Sequence, residues 1–262
     1  MEMNNPLTLK DTSSKILQIE AACHMALTGK WDLFSIPQEI GRDIEVRAIK
    51  DLPKKGGVGS EKGQARLLHD LASIELQAME LGFRTLVEFN AEISTDFKYQ
   101  LTEVILDESR HLKLCLDQME SLGSFWGEWP VHTGLWESVS EKDSLLDRIL
   151  IVHRYLEGSG LDASDKLLRR LDQVGNKDTL QVVKTISEDE MGHVQFGSFW
   201  YKTLCSQMKI DSDEDFQKRS QHLFKRLPRR LEPIQENIRQ QAGFSTNEIE
   251  TLKWIQIKQS NK

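Results

Sequence analysis

Proline is scarce and unevenly placed. The 262-residue chain has six, at positions 6, 37, 53, 130, 228 and 233, and none within 54–129 or 131–227. Proline breaks helix interiors, so these two stretches are free to run as long helices. Cysteine is scarcer still. Cys23, Cys115 and Cys205 show no C-x-x-C spacing. That pattern argues against a disulfide framework and fits a reducing compartment, with a cytoplasmic location as the expectation. No apolar run approaches the roughly 18–20 residues of a membrane span, and the opening stretch MEMNNPLTLKDTSSK carries no signal-peptide core. No membrane partner is expected. Basic excess is also missing: the formal charge is −7, which disfavours nucleic acid as a partner. There is no low-complexity tract.

What the chain does have is helical periodicity. Leu68, Leu71, Glu75, Met79, Gly82 and Leu86 form one stripe, and Leu101, Ile105, Glu108, His111, Cys115 and Met119 a second. Leu146, Leu150, His153 and Glu157 form a third, and Val183, Ile186, Glu190, His193, Gly197, Trp200 and Leu204 a fourth. An amphipathic helix normally turns its charged residues away from the apolar stripe. Here glutamates and histidines sit inside it.

Those residues follow a repeated rule. Asp107-Glu108-Ser109-Arg110-His111 and Asp189-Glu190-Met191-Gly192-His193 are both D-E-x-x-H. Glu75 precedes Glu108 by 33 residues, and Glu157 precedes Glu190 by 33. The unit E-x32-E-x-x-H thus occurs twice, 82 residues apart. Helix positions three apart share a face, so each E-x-x-H can aim a carboxylate and an imidazole at one point. Four carboxylates and two imidazoles are the ligand set of a binuclear transition-metal centre inside a four-helix bundle. One E-x-x-H alone would be weak; two, each with a matched upstream glutamate, are specific. Burying carboxylates without compensation costs several kcal/mol each, and two metal ions supply the missing charge. Carboxylate-rich sites of this kind suit two Fe ions, with Mn or a mixed Mn/Fe pair as the alternative.

The expected fold is therefore all-α: a ferritin-like four-helix bundle with a long crossover connection and extra N- and C-terminal helices. Equal spacing from a turn lets two antiparallel helices present ligands at one depth. The midpoints fall at Phe89–Asp96 and at Val174-Gly175-Asn176, both turn signals. Gly158-Ser159-Gly160, directly after Glu157, predicts a break or kink. The three-tryptophan stretch 122–136 reads as the crossover. Residues 1–62 hold one helix near 11–28 and an extended segment, 63–210 the bundle, and 211–262 a C-terminal extension with helices near 213–225, 230–241 and 246–258.

Other residues are read more plainly. Asp107 and Asp189 each lie four before a ligand histidine and are assigned as outer-shell partners of the metal-bound imidazoles, the alternative being exposed surface aspartates. His153, one turn before Glu157, is read as a core histidine hydrogen-bonded to a ligand carboxylate, with a seventh ligand or proton relay as alternatives. His69 is read as structural, Cys115 as a small core residue, and Tyr155 and Tyr201 as packing aromatics. The cluster Lys225-Arg-Leu-Pro-Arg-Arg230 is read as a solvated face.

Gly63–Glu80, Asp107–His111, Leu156-Glu-Gly-Ser-Gly-Leu-Asp162, Asp189–Val194 and Ala242-Gly-Phe-Ser245 together resemble the bacterial ferritin-like proteins of the DUF455 family. The resemblance covers about residues 45–250. It implies a ferritin-like fold and a binuclear metal centre, with Glu75, Glu108, His111, Glu157, Glu190 and His193 at the matching positions. Ser73 stands where that pattern suggests histidine, and Ser159 where it suggests arginine.

The site supports three functional expectations. The first is an O2-activating oxidoreductase, a hydroxylase or oxidase needing O2, an electron donor and a substrate that the sequence does not name. The second is metal handling or peroxide removal, as in a ferroxidase or a manganese catalase. The third is a non-catalytic helical protein stabilised by metal. No residue is assigned a catalytic role, and the oligomeric state is left open.

Overall fold

The computed structural model describes residues 5–29, 34–174, 176–229 and 232–260. The fold is all-α. Among the described residues the one β-type pairing is an isolated parallel bridge between Val46 and Val131. The chain forms two compact units, Met1–Trp136 and Glu137–Lys262. No helix among the described residues is long and apolar enough to cross a membrane.

The first unit is built on a helical hairpin, α2 (Glu61–Glu88) and α3 (Thr95–Ser121). Each start is set by a serine. Ser60 accepts from the Gly63 amide at 3.1 Å, and Ser94 from the Phe97 amide at 3.2 Å. These side chains satisfy amides that the first helical turn leaves without partners. The turn falls where the spacing predicts it. Apolar positions of both helices, among them Leu68, Ala72, Leu76, Met79, Leu101, Ile105 and Leu112, form the dry core. Helix α1 (Thr12–Leu27) packs on α3, where Glu20 accepts from the Ser109 hydroxyl and the Lys113 ammonium.

Two further features close this unit. Glu80 is fully buried and accepts from Lys15 and, through both oxygens, from Arg42. This triad ties α1 and the segment after it to α2. The tryptophan-rich stretch packs across the helices as expected: the Trp126 indole donates to Asp43 and Thr12, and Gln77 of α2 bonds the backbone of His132 and Leu135.

The second unit opens with a capping box, in which Ser144 and Asp147 bond each other's backbone amides, starting α4 (Leu145–Ile149). The helix continues through a π-helical turn, Leu150–Leu156, into α5 (Glu157–Val174). The break predicted at Gly158-Ser159-Gly160 is absent. All three residues lie inside α5, and the irregularity sits one turn earlier. Gly158 is explained by space, since a Cβ there would lie 1.8 Å from Nη1 of Arg239. Asn176 caps α6 (Lys177–Gln207), accepting from the Thr179 amide at 3.0 Å. Gly175 of the predicted second turn lies outside the described residues.

The C-terminal helices are α7 (Ser212–Leu223), α8 (Glu236–Gln241) and α9 (Thr246–Ser260). The helix predicted over 230–241 is shorter than expected. Pro233 lacks an amide proton and disfavours a helical residue before it, so α8 begins after Gln235. Residues 230 and 231 of that expectation, including Arg230 of the basic cluster, lie outside the described residues. Within the cluster, Arg226 forms an ion pair with buried Asp143 at 2.8 Å.

Removing Glu80 would strand two buried cations. Glu80→Ala is expected to lower the unfolding free energy by about 3–5 kcal/mol, measured by urea denaturation. A loss under about 1 kcal/mol, the range of an exposed ion pair, would show that the triad holds nothing in place.

Candidate metal centre

The first unit brings together three of the expected ligands. Phe89 follows Glu75 by 14 residues, and Glu108 follows Ser94 by 14. At about 1.5 Å per residue both ligands stand roughly 21 Å from the turn. His111 is one turn beyond Glu108 on the same face. All three side chains are buried. The His111 Nδ1 lies 3.6 Å from Glu75 Oε2 and 3.7 Å from Glu108 Oε2. Each residue offers one ligand atom, and these lie within 4.8 Å of one another. Atoms sharing one ion at about 2.1 Å would be separated by roughly 3–4 Å, so this Glu/Glu/His group can hold a metal ion.

Electrostatics fit that description. Burial opposes a charged imidazole, but the close carboxylates of Glu108 and Glu75 outweigh it and raise the His111 pKa to about 10. Without metal, a proton thus serves as the local cation. Cys115, one turn further, is fully buried, and burial together with Glu75 pushes its thiol well above the usual range. Only a thiolate is a good metal ligand, so Cys115 stands as a core residue.

The second unit carries the matching residues. In the π turn and α5, His153 Nδ1 and Glu157 Oε1 are 2.8 Å apart, both residues being buried. Among the described residues the other atoms of the pair, Glu157 Oε2 and His153 Nε2, are buried without a hydrogen-bond partner. The edge of the His153 ring meets Phe196 of α6 at a centroid distance of 5.0 Å. Gly197 lets the α6 backbone approach closely: a Cβ there would lie 2.6 Å from His153 Cβ. His193 is four residues before Gly197 and Glu190 seven before. The face of α6 that carries both therefore turns toward the π turn. Within it, His193 Nδ1 lies 3.7 Å from Glu190 Oε1.

The remaining residues divide. Asp107 and Asp189 are both half-buried, and Asp107 pairs with Arg110 on its own helix at 3.0 Å. His69 stacks on Trp126 and meets the edge of Trp129, while its Nε2 accepts from the Gly127 amide at 3.3 Å. Burial lowers its pKa to about 4, so it is a neutral structural histidine. Tyr155 donates to the Pro228 carbonyl and Tyr201 to Asp215. Sequence reasoning missed the buried partners behind the π turn, Arg154, Arg239 and Glu248. Glu248 and Arg239 lie 94 and 85 residues from Arg154, beyond the reach of any local spacing rule.

The chain belongs to the family described as "Protein of unknown function (DUF455)", whose model matches residues 9–250. A protein from Haemophilus influenzae, named "Uncharacterized protein", is 30% identical over 219 residues, covering 79% of this chain and 73% of that relative. No solved structure matches the chain.

Chelated protein should show the His111 proton in its stability. The unfolded chain releases that proton near pH 6.5, the folded one near 10. The stabilisation is complete below the lower value and lost as pH rises through the upper one. The thermal midpoint of metal-free protein is expected to fall across this window, and His111→Gln to flatten the slope. An equally steep fall in the variant would exclude His111 as its source.

Proposed function

We propose that the two hairpins close on one binuclear metal centre in a ferritin-like four-helix bundle. Glu75, Glu108 and His111 come from one hairpin; Glu157, Glu190 and His193 come from the other. In this reading the protein is an O2-activating oxidoreductase with two Fe ions, or Mn in their place, acting in the cytoplasm on a small molecule or a modified macromolecule. The observation that carries it is the doubled E-x32-E-x-x-H unit. Its first copy forms a buried Glu/Glu/His group of compact geometry, and its second lies on helix faces that turn toward each other within one unit.

Donor chemistry supports the assignment. Four carboxylates offset two divalent ions, and imidazole with carboxylate suits iron and manganese over softer metals. A partnerless buried Glu157 Oε2 is an atom that a cation would satisfy. Bound iron would supply the electrons for O2 reduction, with an external donor to restore them. The chain's own contribution is positional. Each E-x-x-H pair holds one carboxylate and one imidazole on one helix face, His153 fixes the rotamer of Glu157 through the 2.8 Å contact, and the apolar stripes exclude water. Three free, buried cysteines accord with a reducing compartment.

Protein expressed with iron and manganese available is expected to carry about two metals per chain, measured by elemental analysis. His111→Ala and His193→Ala should lower that occupancy. Metal should raise the thermal midpoint of the wild type, because it binds only the native state, and do so less for Glu108→Gln and Glu190→Gln. Anaerobic loading with Fe(II) followed by O2 should produce new visible absorption. Protein that takes up neither Fe(II) nor Mn(II) would end this reading.

A further inference from the structure

The π turn has a buried frame behind it. Arg154, inside the turn, forms a two-pronged ion pair with Glu248 of α9, at 2.7 and 2.8 Å. Its guanidinium is enclosed by the rings of Phe244, Phe216 and Tyr201, at 4.2, 4.7 and 5.0 Å. Arg239 of α8 does two things at once. It holds Asp162 of α5 through both carboxylate oxygens, at 3.2 and 2.8 Å, and its Nη1 donates to the backbone carbonyl of Arg154 at 2.8 Å. Arg154, Arg239, Glu248 and Asp162 are all buried.

Geometry explains the second bond. In an α-helix the carbonyl of residue 154 would accept from the amide of residue 158. A π turn moves that pairing on by one residue and loosens the ring of carbonyls. The guanidinium of Arg239 occupies the room left by the absent Gly158 side chain, 1.8 Å from where its Cβ would be. It thus supplies a donor to a carbonyl inside the π turn, two residues past Val152, whose carbonyl accepts from the Glu157 amide. His153 and Glu157 flank Arg154 on either side of this point.

We propose that Arg239 and Arg154, braced by Asp162 and Glu248, are positioning residues. The C-terminal helices use them to hold the π turn open and so set where the His153–Glu157 pair points. The structural half of this statement stands by itself. The functional half rests on Glu157 being a metal ligand.

Two readouts separate the halves. The first is hydrogen–deuterium exchange of chelated protein. The Arg239→Gln/Asp162→Asn double variant removes both charges and leaves none stranded. Its amides in 150–158 should exchange at least about tenfold faster, while those of the α2–α3 hairpin keep their wild-type rate. The second is titration with Co(II), read by its visible absorption. The variant should bind at least about tenfold more weakly at one of two sites, with an altered spectrum. Arg239→Lys keeps the cation but cannot reach both Asp162 and the Arg154 carbonyl, so it should fall between. Should the double variant fail to fold, Arg239→Lys carries both readouts.

Faster exchange at 150–158 with unchanged Co(II) affinity and spectrum would overturn the functional half. Unchanged exchange in a folded variant would overturn the whole. Uniformly faster exchange across the chain would also overturn it, because it would show only lost stability. If the wild type itself binds no Co(II), the metal reading fails while the exchange experiment still decides the structural half.

Discussion

A carboxylate in an apolar interior needs a cation beside it, and this requirement organises the molecule. Glu80 has Lys15 and Arg42, Glu248 has Arg154, Asp162 has Arg239, and Asp143 has Arg226. Arginine keeps its proton at any accessible pH and cannot serve as a ligand in its place. Those pairs act as struts. Beside Glu75 and Glu108 stands His111, beside Glu157 His153, and beside Glu190 His193. An imidazole can be a cation when protonated and a ligand when not. Beside Glu75 and Glu108, the His111 proton can give way to a metal ion.

The appended helices brace each hairpin from behind. In the first unit, Ser109 and Lys113, two residues either side of His111, are held by Glu20 of α1. In the second, α8 and α9 reach the residues between His153 and Glu157. The first attachment holds side chains and the second a backbone carbonyl, in each case within two residues of an expected ligand or of His153. Position is then set by rigid elements rather than by the ligands themselves, which suits a site that must keep its shape whether or not an ion is present.

Much of this was legible in the sequence because the signals are local. Absence of proline permits the long helices, Ser60, Ser94 and Asn176 start three of them, and a three-residue spacing places Glu108 with His111 whatever the rest of the chain does. The π turn was not legible. Leu-Ile-Val-His-Arg-Tyr-Leu contains only residues that an ordinary helix accepts, and what distinguishes the two forms is a donor 85 residues away. Gly158 invited a misreading for the same reason: its small size serves a neighbour distant in sequence, not a bend in its own helix. Asp107 sits four residues before His111, and it pairs with Arg110, three residues on along the same helix.

The π turn also changes what kind of mutation its segment can bear. An α-helix rotates by about 100° per residue, and a π turn accommodates an additional residue within a continuous helix. Losing any one residue between 150 and 156 would let the segment wind as plain α-helix. The extra residue would then be gone and the flanking turns would stay in phase, so Leu146 and Ile149 would keep their side of the helix relative to Glu157, whereas all seven residues wound as α-helix would turn everything before them by about 100°. Substitution in this stretch alters contacts one at a time. A single-residue deletion removes the bulge and spares the register, whereas losing the bulge at full length shifts it, so for these seven residues length and winding are coupled.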